Sequence, residues 1–298
     1  MAVGPYGALL ESVRGVRWPA RRPVLGGAPG AHPARTRGVA SEFAEYRPYR
    51  QGDDPRRLDW KLLARSDRAF IRLAPDRAVI GTLLAVDASA SMAFPATAAG
   101  PVRGEARSKW RAAKDVVVAC AAVAHGGGDP VGLAVAAANG MARLAARTRR
   151  GVVAEIARTL DAAAPGGSTS LAGAFTGAPP RVLLVTDCLA DLDGLRRAAR
   201  AHLAAGGEVH VVHVVSRAEL DPPYAAMLAT DPEDATTTRP LTPDTRDAYR
   251  ASFDAWRSGV ARTWRDDGVA YHEIVDDAPV DVLVRLMVAT PGGTGARR

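Results

Sequence analysis

Cysteine is nearly absent from this 298-residue chain, which carries two, Cys120 and Cys188. Two thiols cannot build a disulfide framework, and their scarcity fits a reducing compartment. Lysine is almost as scarce: it stands at positions 61, 109 and 114, although Lys and Arg together number 39. The net charge of +7 is therefore an arginine charge, scattered apart from an excess near the start. Aromatic residues make up 5%, too few and too dispersed to form the interleaved stacking platform of a single-strand binder. The basic residues read as a solvated surface, and no nucleic-acid partner is expected. No apolar run approaches the roughly 18–20 residues that cross a bilayer. Met1 to Leu10 lacks the basic start and cleavage site of a signal peptide. These absences predict a cytoplasmic chain without membrane insertion.

What is present is an ordinary globular composition, 47% hydrophobic and rich in alanine. Residues 1–35 are dense in Pro, Gly and Arg and predict a flexible arm. Residues 36–78 form a charged block ending in the alternating, strand-like Ala69-Phe70-Ile71-Arg72-Leu73. From 79 to 290 apolar runs alternate with helical spacing. Strands are predicted at Ile80–Val86, Val131–Ala137, Val182–Thr186, Val209–Val215 and Val269–Val275. Helices are predicted at Lys109–His125, Arg150–Ala163, Leu192–Ala205, 243–267 and Val280–Val288. Asn139-Gly140 marks a tight return turn, and residues 291–298 predict a disordered tail. The alternation predicts an α/β fold, a doubly wound and mainly parallel sheet between two helical layers, with the N-terminal block beside it. Ligands of such sheets sit beyond the carboxyl ends of the strands. Asp87 and Asp187 each follow a buried strand at that position.

Asp87-Ala88-Ser89-Ala90-Ser91 places three oxygen-bearing side chains at alternate positions after the first of these strands. A tight turn there can aim all three into one cavity. A hard cation such as Mg²⁺ or Mn²⁺ takes oxygen ligands and retains waters. Hydroxyls supply oxygens without adding negative charge, so the ion stays electrophilic and can accept a carboxylate from another molecule. An Asp followed by serines is also a common capping or turn pattern, so this motif alone does not decide. The segment resembles the metal-ion-dependent adhesion site of von Willebrand factor A domains, whose first motif is Asp-x-Ser-x-Ser. That resemblance extends to Pro165-Gly166-Gly167-Ser168-Thr169-Ser170-Leu171 as the threonine loop, with Thr169 the best match and Ser168 and Ser170 as rivals. It also covers Val185-Thr186-Asp187 as the strand end bearing the last aspartate. The implied metal ligands are Asp87, Ser89, Ser91, Thr169 and Asp187. Cys188 stands where that family often has glycine.

Upstream, Glu42-Phe43, Arg47-Pro48-Tyr49, Gly52-Asp53, Pro55-Arg56, Asp59-Trp60 and Ala64-Arg65 form a second pattern. This block is similar to that of the domain of unknown function 58 (DUF58) family, whose members join it to a von Willebrand A-type domain. Ser216-Arg217-Ala218-Glu219 and Asp231-Pro232-Glu233 extend the likeness downstream. The resemblance implies work with a MoxR-type AAA+ ATPase in chaperone or assembly tasks. By residue chemistry, Gly52-Asp53-Asp54-Pro55 is a turn. Asp53, Asp54, Arg56, Asp59 and Arg65 can make charge-assisted hydrogen bonds. With Trp60 they read either as a structural clasp or as a second partner site.

Catalytic readings fit less well. A haloacid-dehalogenase-type phosphotransferase needs a second carboxylate two residues after the strand-end Asp, where this chain has Ser89. No serine has a nucleophile-elbow context, and no glycine-rich segment matches a nucleotide-binding loop. His210 and His213, three apart on a strand, point to opposite faces and make a poor zinc pair. The expectation is a non-enzymatic, Mg²⁺- or Mn²⁺-dependent module that binds a protein partner offering a carboxylate. The alternative is a metal-dependent phosphoester hydrolase using the aspartates of the 52–59 block.

Overall fold

The computed structural model describes residues 4–21, 29–38, 45–51, 53, 58–66, 68–95, 108–222, 227–231 and 236–289. The chain divides into two compact units, one of residues 19–80 and the other of residues 1–18 with 81–298.

The smaller unit holds a three-stranded antiparallel sheet in the order β1-β3-β2, from β1 (Pro29–Gly38), β2 (Glu45–Pro48) and β3 (Phe70–Ala78). A short helix, α2 (Trp60–Ser66), precedes β3. Asp59 starts it: Oδ1 accepts the backbone N–H groups of Lys61 and Leu62 at 3.1 and 3.0 Å, so its carboxylate caps the helix. The boundary anticipated at residue 36 falls earlier, because β1 pairs with β3 and draws residues 29–38 into this unit.

The larger unit is built on a six-stranded sheet in the order β11-β8-β7-β4-β5-β6. Its strands are β4 (Thr82–Asp87), β5 (Val131–Ala137), β6 (Gly140–Arg147), β7 (Arg181–Thr186), β8 (Glu208–Val215) and β11 (Ala270–Val275). All pairings are parallel except β5 with β6, the hairpin turned at Asn139-Gly140. The intervening β9 (Met227–Thr230) and β10 (Thr238–Leu241) form a separate antiparallel pair.

Alternation along the central strands explains why both faces are covered. Leu84, Val86, Leu183, Val185, Val212 and Val214 join one apolar cluster with α3 (Lys109–Gly126), α4 (Val152–Ala162) and α8 (Val280–Ala289). Leu83, Ala85, Val182, Leu184, Val209 and Val211 join the other, with α5 (Leu192–Ala204) and α7 (Pro243–Asp266). Each of these valine and leucine side chains contributes roughly 1.5–3 kcal/mol when fully buried. The doubly wound α/β architecture expected from the alternating pattern is the one observed.

Residues 4–18 correct the expectation of a flexible arm over 1–35. Helix α1 (Gly7–Ser12) packs against α3 and α8, and Tyr6, Val13 and Trp18 are buried in the first cluster. The Tyr6 hydroxyl donates to Asp161 at 2.8 Å, and Arg285 donates to the Ser12 carbonyl at 2.6 Å. The Pro, Gly and Arg content hid three side chains, Tyr6, Val13 and Trp18, that join this stretch to the first apolar cluster. Residues 291–298, expected as a tail, lie outside the described residues. No helix among the described residues is long and apolar enough to cross a membrane.

Candidate metal-binding site

The chain leaves β4 toward β5 on one side of the sheet and later places β7 on β4's other side. Between the carboxyl ends of β4 and β7 the connections diverge, the position where open α/β sheets form a crevice. Asp87 ends β4, and Asp187 follows β7.

The turn after β4 is stitched to the 165–171 loop by backbone bonds in both directions. Gly166 N–H donates to the Ala88 carbonyl, and Ala90 N–H donates to the Gly167 carbonyl, each at 2.9 Å. Ser89 and Ser91 are buried, and their hydroxyls lie 3.0 Å apart. Asp87, 1% exposed, accepts three bonds. Ser89 N–H and the Thr169 hydroxyl reach Oδ1 at 2.9 and 2.7 Å, and the Thr186 hydroxyl reaches Oδ2 at 2.9 Å. Of the three residues of the Ser168-Thr169-Ser170 run, Thr169 is the one hydrogen-bonded to Asp87. Thr186, which the sequence offered only as a neighbour of Asp187, is a direct partner of the same carboxylate.

Asp187 has different company. Its Oδ2 accepts from the Lys109 ammonium at 2.8 Å and its Oδ1 from Leu189 N–H at 3.2 Å. Lys109, 1% exposed at the first turn of α3, also donates to Glu219 Oε1 at 2.8 Å. Glu219 is held by its other oxygen, which accepts Ser216 N–H at 2.7 Å in a capping box on α6 (Arg217–Leu220). Burial pulls the Lys109 ammonium downward, but Asp187 and Glu219 outweigh it and leave its pKa above the usual lysine value. Lys109 was not among the residues anticipated for the site; the available signal is that it is one of three lysines in an arginine-rich chain and opens a helix whose later turns, from Val116 to Ala124, are apolar.

Cys188 adopts φ 60°, the left-handed region that glycine occupies without strain. This accounts for glycine being common there in the resembled family. The Cys188 amide donates to Thr186 Oγ1 at 3.1 Å, which fixes the turn despite the side chain. Burial pushes the Cys188 thiol well above the ordinary cysteine range, so it is no ready nucleophile.

The donor set suits a hard divalent ion. Beside the Asp87 carboxylate it offers the hydroxyls of Ser89, Ser91, Thr169 and Thr186, all of them hard oxygen donors. Among the described residues no lysine or arginine pairs with Asp87; neutral donors alone support it. A buried carboxylate so placed is costly without a counter-charge, and a cation bound by the hydroxyls would provide it.

The upstream block is only partly described. Asp53 Oδ2 accepts Arg50 N–H at 2.8 Å, closing a turn, and Asp59 caps α2. Trp60 is 63% exposed, and Arg65 is exposed in the last turn of α2. Asp54 and Arg56 lie outside the described residues.

Comparison with known proteins gives this architecture a family. An uncharacterized protein of Mycobacterium tuberculosis is 30% identical over 255 residues, spanning 80% of this chain and 76% of that protein. An uncharacterized Mycobacterium bovis protein matches with the same identity and coverage. Among solved structures, BatB from Bacteroides thetaiotaomicron aligns with a TM-score of 0.46 at 16% identity, covering 70% of this chain and 97% of that one. The SpRpn10 VWA domain aligns with a TM-score of 0.40 at 12% identity, covering 74% of this chain and all of the other. The model for protein of unknown function DUF58 matches residues 45–259, most of both compact units, and the chain belongs to the DUF58 family.

Proposed function

We propose that this protein is a non-enzymatic docking module whose divalent ion, Mg²⁺ or Mn²⁺, completes its coordination with a carboxylate from a partner protein. The observation that carries this reading is the Asp87 carboxylate, buried among Thr169, Thr186 and Ser89 donors with no cationic partner among the described residues. Asp87, Ser89, Ser91 and Thr169 would hold the ion, with Asp187 at the neighbouring strand end as a further ligand. The ion's contribution is a Lewis-acidic position for an incoming oxygen. The chain's own residues fix the hydroxyls, shield the carboxylate from water and present the rim. Leu189 and Phe94 are exposed next to the two strand ends, and Ser168 and Ser170 are exposed on the neighbouring loop. These would supply the apolar and polar contacts around the carboxylate. The resemblance described above directs the choice of partner to a MoxR-type AAA+ ATPase.

The test is affinity capture of such an ATPase by the full chain in Mg²⁺, in EDTA, and with Asp87→Asn, which keeps the size of the side chain and removes its charge. Capture is expected to fall about tenfold or more in both latter conditions. Equal capture in all three would overturn the metal-dependent reading.

A further inference from the structure

A buried lysine stands inside the proposed metal site, and its geometry points to regulation of that site. The Lys109 ammonium lies 2.8 Å from Asp187 Oδ2 and 2.8 Å from Glu219 Oε1. It is locked there from both sides. Ser108 caps α3 by accepting Arg111 N–H, and Lys109 N–H donates to the Phe94 carbonyl at 2.9 Å. The ammonium also sits 5.9 Å from the centroid of the Phe94 ring, a face that favours cations. Glu219 is fixed by its bond to Ser216 N–H, and Ser216 is in turn tied by its hydroxyl to Asp276 at 2.6 Å. The lysine therefore has two anchored acceptors, and only one of them, Asp187, belongs to the metal-site motif.

Charge explains what this does. Asp87 has hydroxyl and amide donors but no counter-ion among the described residues, whereas Asp187 already has one of its own. A divalent ion entering beside Asp87 would meet a fixed positive charge on the other carboxylate. In a site shielded from water, the repulsion between two cations is several times stronger than in bulk solvent. We propose that Lys109 is a resident cation that competes with the divalent ion for Asp187 and holds the docking site in a low-affinity state, with Glu219 as the alternative anion that takes the ammonium when Asp187 turns to the metal. This rests on the metal-dependent reading and adds its regulation. It predicts that the ion binds weakly until a partner carboxylate adds its own negative charge. Metal and partner would then bind cooperatively.

The full-length chain, stripped of metal, is titrated with Mn²⁺ alone, and free Mn²⁺ is followed by electron paramagnetic resonance. Circular dichroism and thermal melts check the fold of each variant. Lys109→Met retains the apolar stem and removes the charge; it is expected to bind Mn²⁺ about tenfold more tightly than the natural chain. Glu219→Gln retains an oxygen for Ser216 N–H and leaves the ammonium wholly to Asp187; it is expected to bind about threefold or more weakly. The opposite signs separate competition from general damage to the site. Should metal-free Lys109→Met fail to fold, its melting is followed with increasing Mn²⁺, where a steeper rise than in the natural chain supports the proposal and an equal or shallower one overturns it. Natural chain and Lys109→Met binding Mn²⁺ equally, or Glu219→Gln binding it as tightly as the natural chain, would overturn the competition and leave metal-dependent docking standing. Absence of Mn²⁺ binding in every form would overturn both.

Discussion

His213 sits on β8 with its ring fully buried, its Nδ1 2.7 Å from the Tyr271 hydroxyl and its ring edge-on to Trp256. Burial lowers its pKa from 6.5 to about 4; Glu273 and Asp187 pull it upward, and Arg257 and Lys109 push it down. The sign follows from which state takes up the proton first. The unfolded chain protonates near 6.5 while the native ring stays neutral, so stability is complete above that value. It falls as pH drops toward about 4, where the native ring protonates too. The loss is on the order of 3 kcal/mol across this window. Urea denaturation of His213→Gln, which cannot titrate, should show a flatter dependence between those pH values than the natural chain. A variant that keeps the full acid slope would assign the loss to another group. At the same scale, Thr186 and Lys109 show how a residue's role follows from its neighbours. Nothing in either residue's local sequence says which carboxylate it will meet.

Among the elements, the 165–171 loop decides whether the Asp87 turn becomes a site. Gly167 has φ +61°, and a Cβ there would lie 2.6 Å from the Ala138 side chain, far inside van der Waals contact. Its carbonyl accepts the Ala90 amide, so moving it also moves the serine turn. Gly167→Ala is expected to cost about 1–3 kcal/mol of stability and to lower Mn²⁺ affinity by more than the fold's loss explains. Gly166→Ala, where added bulk meets nothing within 4 Å, is the control, and equal effects of the two would refute the role given to Gly167. The central strands were legible because each is a short apolar run ending at a polar residue, and Asp87 and Asp187 stand where that pattern places them. The helices of both layers were legible from their spacing. Helix α1 and the β9–β10 pair were not, because short elements take their shape from what they pack or pair with; the ten-residue strand β1 was not, because its Pro-, Gly- and Arg-rich sequence lacks apolar alternation. Thr169 could be singled out by its motif. Its bond to Asp87 could not, since that depends on two backbone hydrogen bonds between segments some eighty residues apart.

Across the larger unit as a whole, Arg181 ties the start of the chain to the sheet at the end opposite the proposed site. It opens β7 fully buried, and its ε-nitrogen is hydrogen-bonded to Glu208, the first residue of β8. Its two terminal nitrogens reach Asp129 Oδ2 at 3.3 Å and the Trp18 carbonyl at 3.2 Å. The guanidinium lies 4.6 Å from the Trp18 ring centroid, and that ring meets His210 edge-on. One planar cation thus joins residue 18 to β7, β8 and the turn before β5, which is why the N-terminal segment is part of this unit. Removing one member leaves the others buried without compensation, so Arg181→Met is expected to cost roughly 3–5 kcal/mol. Trp18→Ala should cost about 3 kcal/mol or more through lost packing. The double variant should cost less than the sum, because the ring and the guanidinium share one contact. The network also sets the acid limit of the fold. Burial pushes the Glu208 carboxyl upward, but His210 and Arg181 outweigh it and hold it at about 2, below the ordinary 4.5. A lowered carboxyl stabilises the native state above its unfolded pKa, and that contribution disappears as pH falls from 4.5 through about 2. Without Arg181 the Glu208 carboxyl loses part of that hold, so Arg181→Met should begin acid unfolding at a higher pH than the natural chain. Circular dichroism along a pH titration reads this directly, and coincident acid transitions in the two proteins would show that Arg181 does not anchor Glu208.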